Sequence, residues 1–117
     1  MSASSTAKLS PQKLQNTIDY IRARLEQDLT LSELADVAQM SPYRFARAFK
    51  SSTGLTPHQY LLCQRIEIAK KLLTLKQLSI AEISYQLGFA SQSHFTATFR
   101  RFTKVTPTVY RNIGASF

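Results

Sequence analysis

The chain has 117 residues, 44% of them hydrophobic, with 15 Lys+Arg against 7 Asp+Glu for a formal charge of +8. That length allows one domain or two small lobes, and no apolar run approaches the roughly 20 residues of a membrane-spanning helix, which excludes a helical membrane protein. The single cysteine, Cys63, excludes an internal disulfide and cysteine-based structural zinc sites and fits a reducing, cytoplasmic setting, while the charge points to a polyanion, nucleic acid before anionic membrane.

Met1–Leu9 is a Ser/Ala/Thr tail without the apolar core of a secretory signal, and residues 1–9 are expected to be flexible. Ser10-Pro11 gives an N-cap followed by proline at the first helical position, and Leu14, Ile18, Ile21 and Leu25 then form one apolar helical stripe. Thr30 with Glu33 has the form of a capping box opening a second helix, with Leu31, Leu34, Ala35 and Ala38 expected to face inward. Ser41-Pro42 starts a third helix that stops at Gly54, and Thr56-Pro57 starts a long fourth through about Leu73. Ser79 with Glu82 is another capping box, followed by Ile80, Ile83 and Leu87. Gly88 makes a turn, Ser91 caps a helix carrying Phe95, Phe99 and Phe102, and Thr106-Pro107 starts a last short helix. No strand-like alternation competes, so the chain reads as all-α with about seven helices.

The second half repeats the first. Leu31-Ser-Glu-Leu-Ala35 matches Ile80-Ala-Glu-Ile-Ser84, Phe45 and Phe49 match Phe95 and Phe99, and Leu55-Thr56-Pro57 with Tyr60 matches Val105-Thr106-Pro107 with Tyr110. The offset is 49 before the inner turn and 50 after it, so the second copy carries one extra turn residue. Each copy is a short capped helix, a turn and a second helix, which is the helix-turn-helix pattern. The second helix of each copy lies in an acid-free stretch. No acid occurs between Val37 and Ile66, which carries Arg44, Arg47, Lys50 and Arg65, nor from Ile83 to Phe117, which carries Arg100, Arg101, Lys104 and Arg111. A single such cluster commonly does no more than solvate a helix face; two in matching positions point to a shared anionic partner.

Helical geometry divides these second helices into two faces. Phe45 and Phe49, with Ala48 beside them, define a buried face and leave Tyr43, Arg44, Ala46, Arg47 and Lys50 on the opposite and flanking faces. Phe95 and Phe99 do the same in the second copy, leaving Gln92, Ser93, Thr96, Ala97 and Arg100 outward, with Arg101 completing the basic end. Arginine has the shape to bridge guanine O6 and N7, glutamine can read adenine, and serine and threonine are less selective. Double-stranded DNA is the partner this pattern suits.

Two extended runs carry a family resemblance. Leu31-Ser-Glu-Leu-Ala35, Met40-Ser41-Pro42-Tyr-Arg-Phe-Ala-Arg-Ala-Phe49-Lys50 and Gly54-Leu-Thr-Pro57 with Tyr60 and Arg65 resemble the first half of an AraC/XylS-family DNA-binding domain. Ile80-Ala-Glu-Ile83, Gly88-Phe89, Ser93-His-Phe95, Phe99-Arg100-Arg101 and Thr106-Pro107 with Tyr110-Arg111 resemble its second half. The resemblance covers about Leu14 to Arg111. It implies a domain over residues 10–117, with lobes at about 10–55 and 78–117 joined by a linker helix at about 57–74. It also implies a transcription regulator, an activator, with promoter DNA and RNA polymerase as partners and no cofactor. Base readout would fall to Tyr43, Ala46 and Arg47 in the first lobe and to Gln92, Ser93, Thr96 and Ala97 in the second. Two positions depart from the family pattern. Lys104 stands where a helix-ending glycine matching Gly54 is usual, and Ala97 stands where some relatives carry arginine.

A linker helix from Pro57 to Leu73, about 25 Å at roughly 1.5 Å per residue, would help hold two reading helices about one DNA turn, roughly 34 Å, apart. With both helices in one chain and no heptad pattern to suggest a dimer, a monomer on an asymmetric site is expected. Catalysis has little support: His58, His94 and Cys63 form no nucleophile–base arrangement, no phosphate loop is present, and neither a catalytic nor a metal residue is assigned. His94 is expected to touch a phosphate or the helix surface. The competing reading is a helical adaptor that contacts the transcription machinery without reading DNA; steep salt dependence of DNA binding separates the two.

Overall fold

Seven helices follow one another among residues 7–113, the part described in a computed structural model: α1 (Pro11–Ala23), α2 (Leu31–Val37), α3 (Pro42–Thr53), α4 (Pro57–Leu75), α5 (Ile80–Gln86), α6 (Gln92–Thr103) and α7 (Pro107–Ile113). No strand occurs among these residues. The starts lie where the capping residues place them. The hydroxyls of Ser10, Thr30, Ser41, Ser79 and Ser91 each accept the amide hydrogen three residues on, which satisfies an otherwise unpaired first-turn donor. At the start of α4, Thr56 and Gln59 cap each other reciprocally: the Gln59 amide donates to Thr56 Oγ1 and the Thr56 amide to Gln59 Oε1.

The chain divides into two units, one ending at Leu61 and the other beginning at Leu62, so the boundary falls inside α4. The first unit buries Ile21, Leu34, Ala35, Ala38, Phe45, Phe49 and Leu61 together. The second buries Ile66, Ala69, Leu73, Ile83, Leu87, Phe89, Phe95 and Phe99. The same aromatic ladder recurs in each. Phe49 meets Phe45 at 5.6 Å and Tyr60 edge-on at 5.4 Å, and Phe99 meets Phe95 at 5.8 Å and Tyr110 edge-on at 5.4 Å. Such edge-on contacts add to the burial of the rings.

The turns inside the two copies match in hydrogen bonding. The Met40 amide donates to Ala35 O at 3.0 Å, and the Phe89 amide donates to Ser84 O at 3.1 Å. Gln39 (φ 59°) and Gly88 (φ 83°) hold the matching left-handed positions. Register is therefore kept through Met40 and Phe89, and the extra residue of the second copy is Ala90, just before the Ser91 cap. The second helices of the two copies, α3 and α6, also end alike, with Gly54 (φ 82°) and Lys104 (φ 73°) both left-handed, donating to Lys50 O at 2.7 Å and to Arg100 O at 2.8 Å. Lys104 thus adopts the glycine conformation without being glycine.

Four expectations change. Leu31 is 41% exposed, because at the first helical position it sits at the rim of the first core while Leu34 fills the centre. Thr30 caps α2, but the Glu33 carboxylate does not return to the Thr30 amide; it accepts the hydroxyl of Tyr20 and ties α2 to α1. Helix α4 runs on to Leu75. Ser79 and Glu82, by contrast, form the complete box, with the Glu82 carboxylate taking the Ser79 amide at 2.8 Å and Ser79 Oγ taking the Glu82 amide at 3.0 Å. Leu9, the last residue of the expected tail, is buried in the first core, and residues 1–6 lie outside the described part.

Two measurements follow from the caps. A Cβ at Gly54 would meet nothing within 4 Å, so Gly54→Ala should cost about 1 kcal/mol from its positive φ alone, whereas Lys104→Gly should gain about 0.5–1 kcal/mol in thermal unfolding. The hydrogen bonds from Ser79 hold the Glu82 carboxyl below the usual carboxylate range. Its contribution is therefore present above that range and lost as pH falls through the depressed value. Glu82→Gln should flatten the acid limb of a stability–pH curve, and an unchanged limb would remove Glu82 from the account.

Candidate nucleic-acid interface

In α3, the fully buried Phe45 and Phe49 fix the rotation of the helix, and with 3.6 residues per turn Tyr43, Arg44, Arg47 and Lys50 are carried to the outside. Tyr43 is 70% exposed, and its hydroxyl accepts from an Arg47 guanidinium nitrogen at 3.1 Å, with the guanidinium 5.5 Å from the ring centre. This pairing holds the two side chains beside each other on the exposed side of α3. Tyr43, Ala46, Arg47 and Lys50 line an open hollow of about 500 Å³ together with Ser51 and Thr56. Arg44 lies on the other side of this pair, in a second hollow that it shares with Tyr43 and Arg47.

In α6, the buried Phe95, Thr98 and Phe99 set the rotation. Gln92, Ser93, Thr96, Ala97, Arg100 and Arg101 together line one open hollow of about 760 Å³. All the residues singled out on this helix therefore share one face, and those of α3 share a ridge and its two flanks. Among the described residues, no acidic side chain lines any of these hollows. Ser51 and Thr56 join the hollow beyond the residues that the sequence pattern points to. Ser51, four residues after Arg47, continues the helical stripe, whereas Thr56 lies beyond the helix end and comes to the hollow only through the Gly54 turn. His94 is exposed and packs edge-on against Phe89 at 5.3 Å, on the helix surface.

The acid-free stretches also contain two arginines that serve the fold. Arg65 is only 4% exposed; its guanidinium donates to Gly88 O at 3.4 Å and lies 5.4 Å from the Phe89 ring centre. It holds the inner turn of the second copy against α4. Arg111 Nε donates to Leu73 O at 3.0 Å, placing positive charge at the carbonyl end of α4, where the helix dipole favours it. Among the described residues, no cluster of three or more His, Cys, Asp and Glu side chains could hold a metal ion, and no helix is long and apolar enough to cross a membrane.

A duplicated helix-turn-helix unit whose second helices each present an acid-free polar face defines a nucleic-acid-reading module. A family model for a helix-turn-helix domain matches residues 34–113, and the chain belongs to this AraC-type family of DNA-binding transcription regulators. The fold and family are those of DNA-binding regulators and not of enzymes. The chain is 38% identical over 93 residues to a probable transcriptional regulator, LumQ, of Photobacterium leiognathi, a match that covers 80% of this chain and 38% of LumQ. Its fold is similar to the crystal structure of an AraC-type transcriptional regulator from Chromobacterium violaceum, with a TM-score of 0.83 and 30% identity over 90% of this chain and 94% of that one. It is also similar to the DNA-binding domain of AdpA, solved in complex with a target DNA, with a TM-score of 0.79 and 32% identity over 86% of this chain and 90% of that one. The chain thus spans less than two-fifths of the length of LumQ.

The Arg65 contact can be tested directly. Arg65→Met keeps the aliphatic stem but removes the donor to Gly88 O, and should destabilise the second unit by about 1–3 kcal/mol. Faster hydrogen exchange at the Phe89 amide is the local signature to look for, and unchanged exchange would make Arg65 a packing residue only.

Proposed function

We propose that residues 10–117 form one DNA-reading domain. Its lobes, at about 10–55 and 78–117 and joined by a linker helix at about 57–74, bind as a monomer to an asymmetric promoter site, with α3 and α6 in successive major grooves. Tyr43, Ala46 and Arg47 read bases in one half-site and Gln92, Ser93, Thr96 and Ala97 in the other, while Arg44, Lys50, Arg100 and Arg101 meet phosphates. The observation that carries this reading is the pair of acid-free outward faces on two helices whose rotation is fixed by matching buried phenylalanines. The likeness to the AdpA domain in complex with DNA adds to it. A chain with both reading helices does not need a second copy to present them, and because their exposed residues differ, the two half-sites should differ. Working on promoter DNA in the cytoplasm, as an activator that contacts RNA polymerase, is the role the family resemblance favours.

Selection of bound sites from random DNA, followed by footprinting and sedimentation of the complex, tests the reading. One chain per asymmetric site of about two turns is expected; two chains on a palindrome would overturn the monomeric arrangement, and binding that ignores salt would favour the adaptor. A promoter fusion silenced by the protein would reverse the regulatory sign. Arg47→Ala should cost about 1–3 kcal/mol of binding and relax preference at one base pair; an equal loss on every sequence would make Arg47 a phosphate contact. With more arginine and lysine on α3, base substitutions should be most damaging in the half-site that faces it.

A further inference from the structure

The second hollow beside α3 contains a cation that lies outside both helix-turn-helix units. Leu9 is 7% exposed within the first core, and its amide donates to Ser52 Oγ, on the α3 helix, at 2.9 Å. Ser10 follows immediately as the cap of α1. Two consecutive residues are thus fixed, one by burial and a hydrogen bond to the recognition helix, the other by the helix it starts. Lys8, exposed and directly before them, is delivered to a hollow of about 500 Å³ that it lines with Ala7, Met40, Tyr43, Arg44, Arg47 and Ala48. Among the described residues, three cations and no carboxylate border this hollow. Like charges gathered around one concavity repel one another in the unbound protein and concentrate anions there. The hollow also shares Tyr43 and Arg47 with the α3 reading face, so an anion held in it would lie immediately beside the bases that α3 reads.

We propose that Ala7–Leu9 is an anchored arm whose Lys8 ammonium neutralises a DNA backbone phosphate flanking the first half-site, with Arg44 as its neighbour on the same stretch of backbone. The proposal rests on the DNA-reading function of α3 and adds a contact supplied from outside the helix-turn-helix. A lysine suits such a contact, because it acts as a compact point charge on a phosphate and carries no base preference. The described residues that line the hollow of α6, from Gln92 to Arg101, all belong to the helix itself.

The test is the dependence of binding on salt for the wild-type chain, Lys8→Gln, Ser52→Ala and the double variant, on a selected site and on random duplex. Lys8→Gln should make the slope of log K against log salt shallower by about 0.9 and weaken binding about three- to tenfold, equally on both DNAs. Ser52→Ala, which removes the anchor while keeping the lysine, should reproduce part of that loss, and the double variant should bind no more weakly than Lys8→Gln alone. An unchanged slope for Lys8→Gln, with wild-type binding still steep in salt and still weakened by Arg47→Ala, would overturn the arm contact and leave the DNA-reading function standing. Additive losses for Lys8→Gln and Ser52→Ala would overturn the anchoring. If the wild-type chain itself bound neither DNA in a salt-dependent way, the DNA-reading function would fall, and the arm contact with it.

Discussion

The pair of phenylalanines four residues apart in each second helix is the constraint on which the other features depend. Phe45 and Phe49, like Phe95 and Phe99, are fully buried, and burying one such ring contributes about 1.5–3 kcal/mol. Turning either helix to bring another face inward would expose two rings and drive arginines into an apolar core, where an unpaired charge is far more costly than a lost ring contact. The rotation is therefore fixed from within, and the outward set follows from it without separate instruction. Ala48 and Thr98, small and buried beside the rings, let the helix lie close to its core.

The connections are held by backbone conformation and by a few side-chain contacts. Each copy has two left-handed residues, one in the inner turn and one after the second helix, and each copy uses glycine at only one of them: Gly54 in the first, Gly88 in the second. Gln39 and Lys104 take the matching places, and the hydrogen bonds that close the turns and helix ends are the same in both copies. The geometry is dictated by those bonds and by the packing on either side, and glycine lowers the strain without being indispensable. Thr53 and Thr103 reinforce the helix ends in parallel, each hydroxyl accepting the amide two residues on, from Leu55 and Val105. Arg65 adds a contact from α4 to the inner turn of the second copy.

Positive charge is sorted by the fold in a way that its sum conceals. Of the basic residues in the acid-free stretches, Arg44, Arg47, Lys50, Arg100 and Arg101 lie on the exposed faces, whereas Arg65 is buried against a turn and Arg111 reaches a helix carbonyl. Duplication supplied two similar frames, and substitution on their outer faces made them chemically different, with Tyr43 and Arg47 on one and Gln92, Ser93 and Ala97 on the other. A frame that keeps its buried residues while its exposed ones diverge is suited to a family whose members must recognise different sequences.

The helices, their starts and the repeat are legible in the sequence because they depend on local rules: capping serines and threonines, prolines at first positions, and apolar residues at helical spacing. The outward faces of α3 and α6 are legible for the same reason, since phase within one helix needs no distant partner. What needed the tertiary structure is whatever depends on residues far apart in the chain. Glu33 has the spacing of a capping box, yet its carboxylate accepts Tyr20, a stronger local option only once α1 lies beside α2. Leu31 matches the apolar pattern but lies at the rim, because a one-dimensional stripe does not record where a core ends. The placing of the extra residue at Ala90 is a local matter that the turn hydrogen bonds of Met40 and Phe89 settle by holding the register up to that point. Leu9 looks like the end of a polar tail, and only its contact with Ser52, 43 positions away, makes it part of the core and brings Lys8 beside α3. Local periodicity sets what each helix is and which way it faces; contacts across long stretches of chain decide which polar groups hold the fold and which remain for a partner.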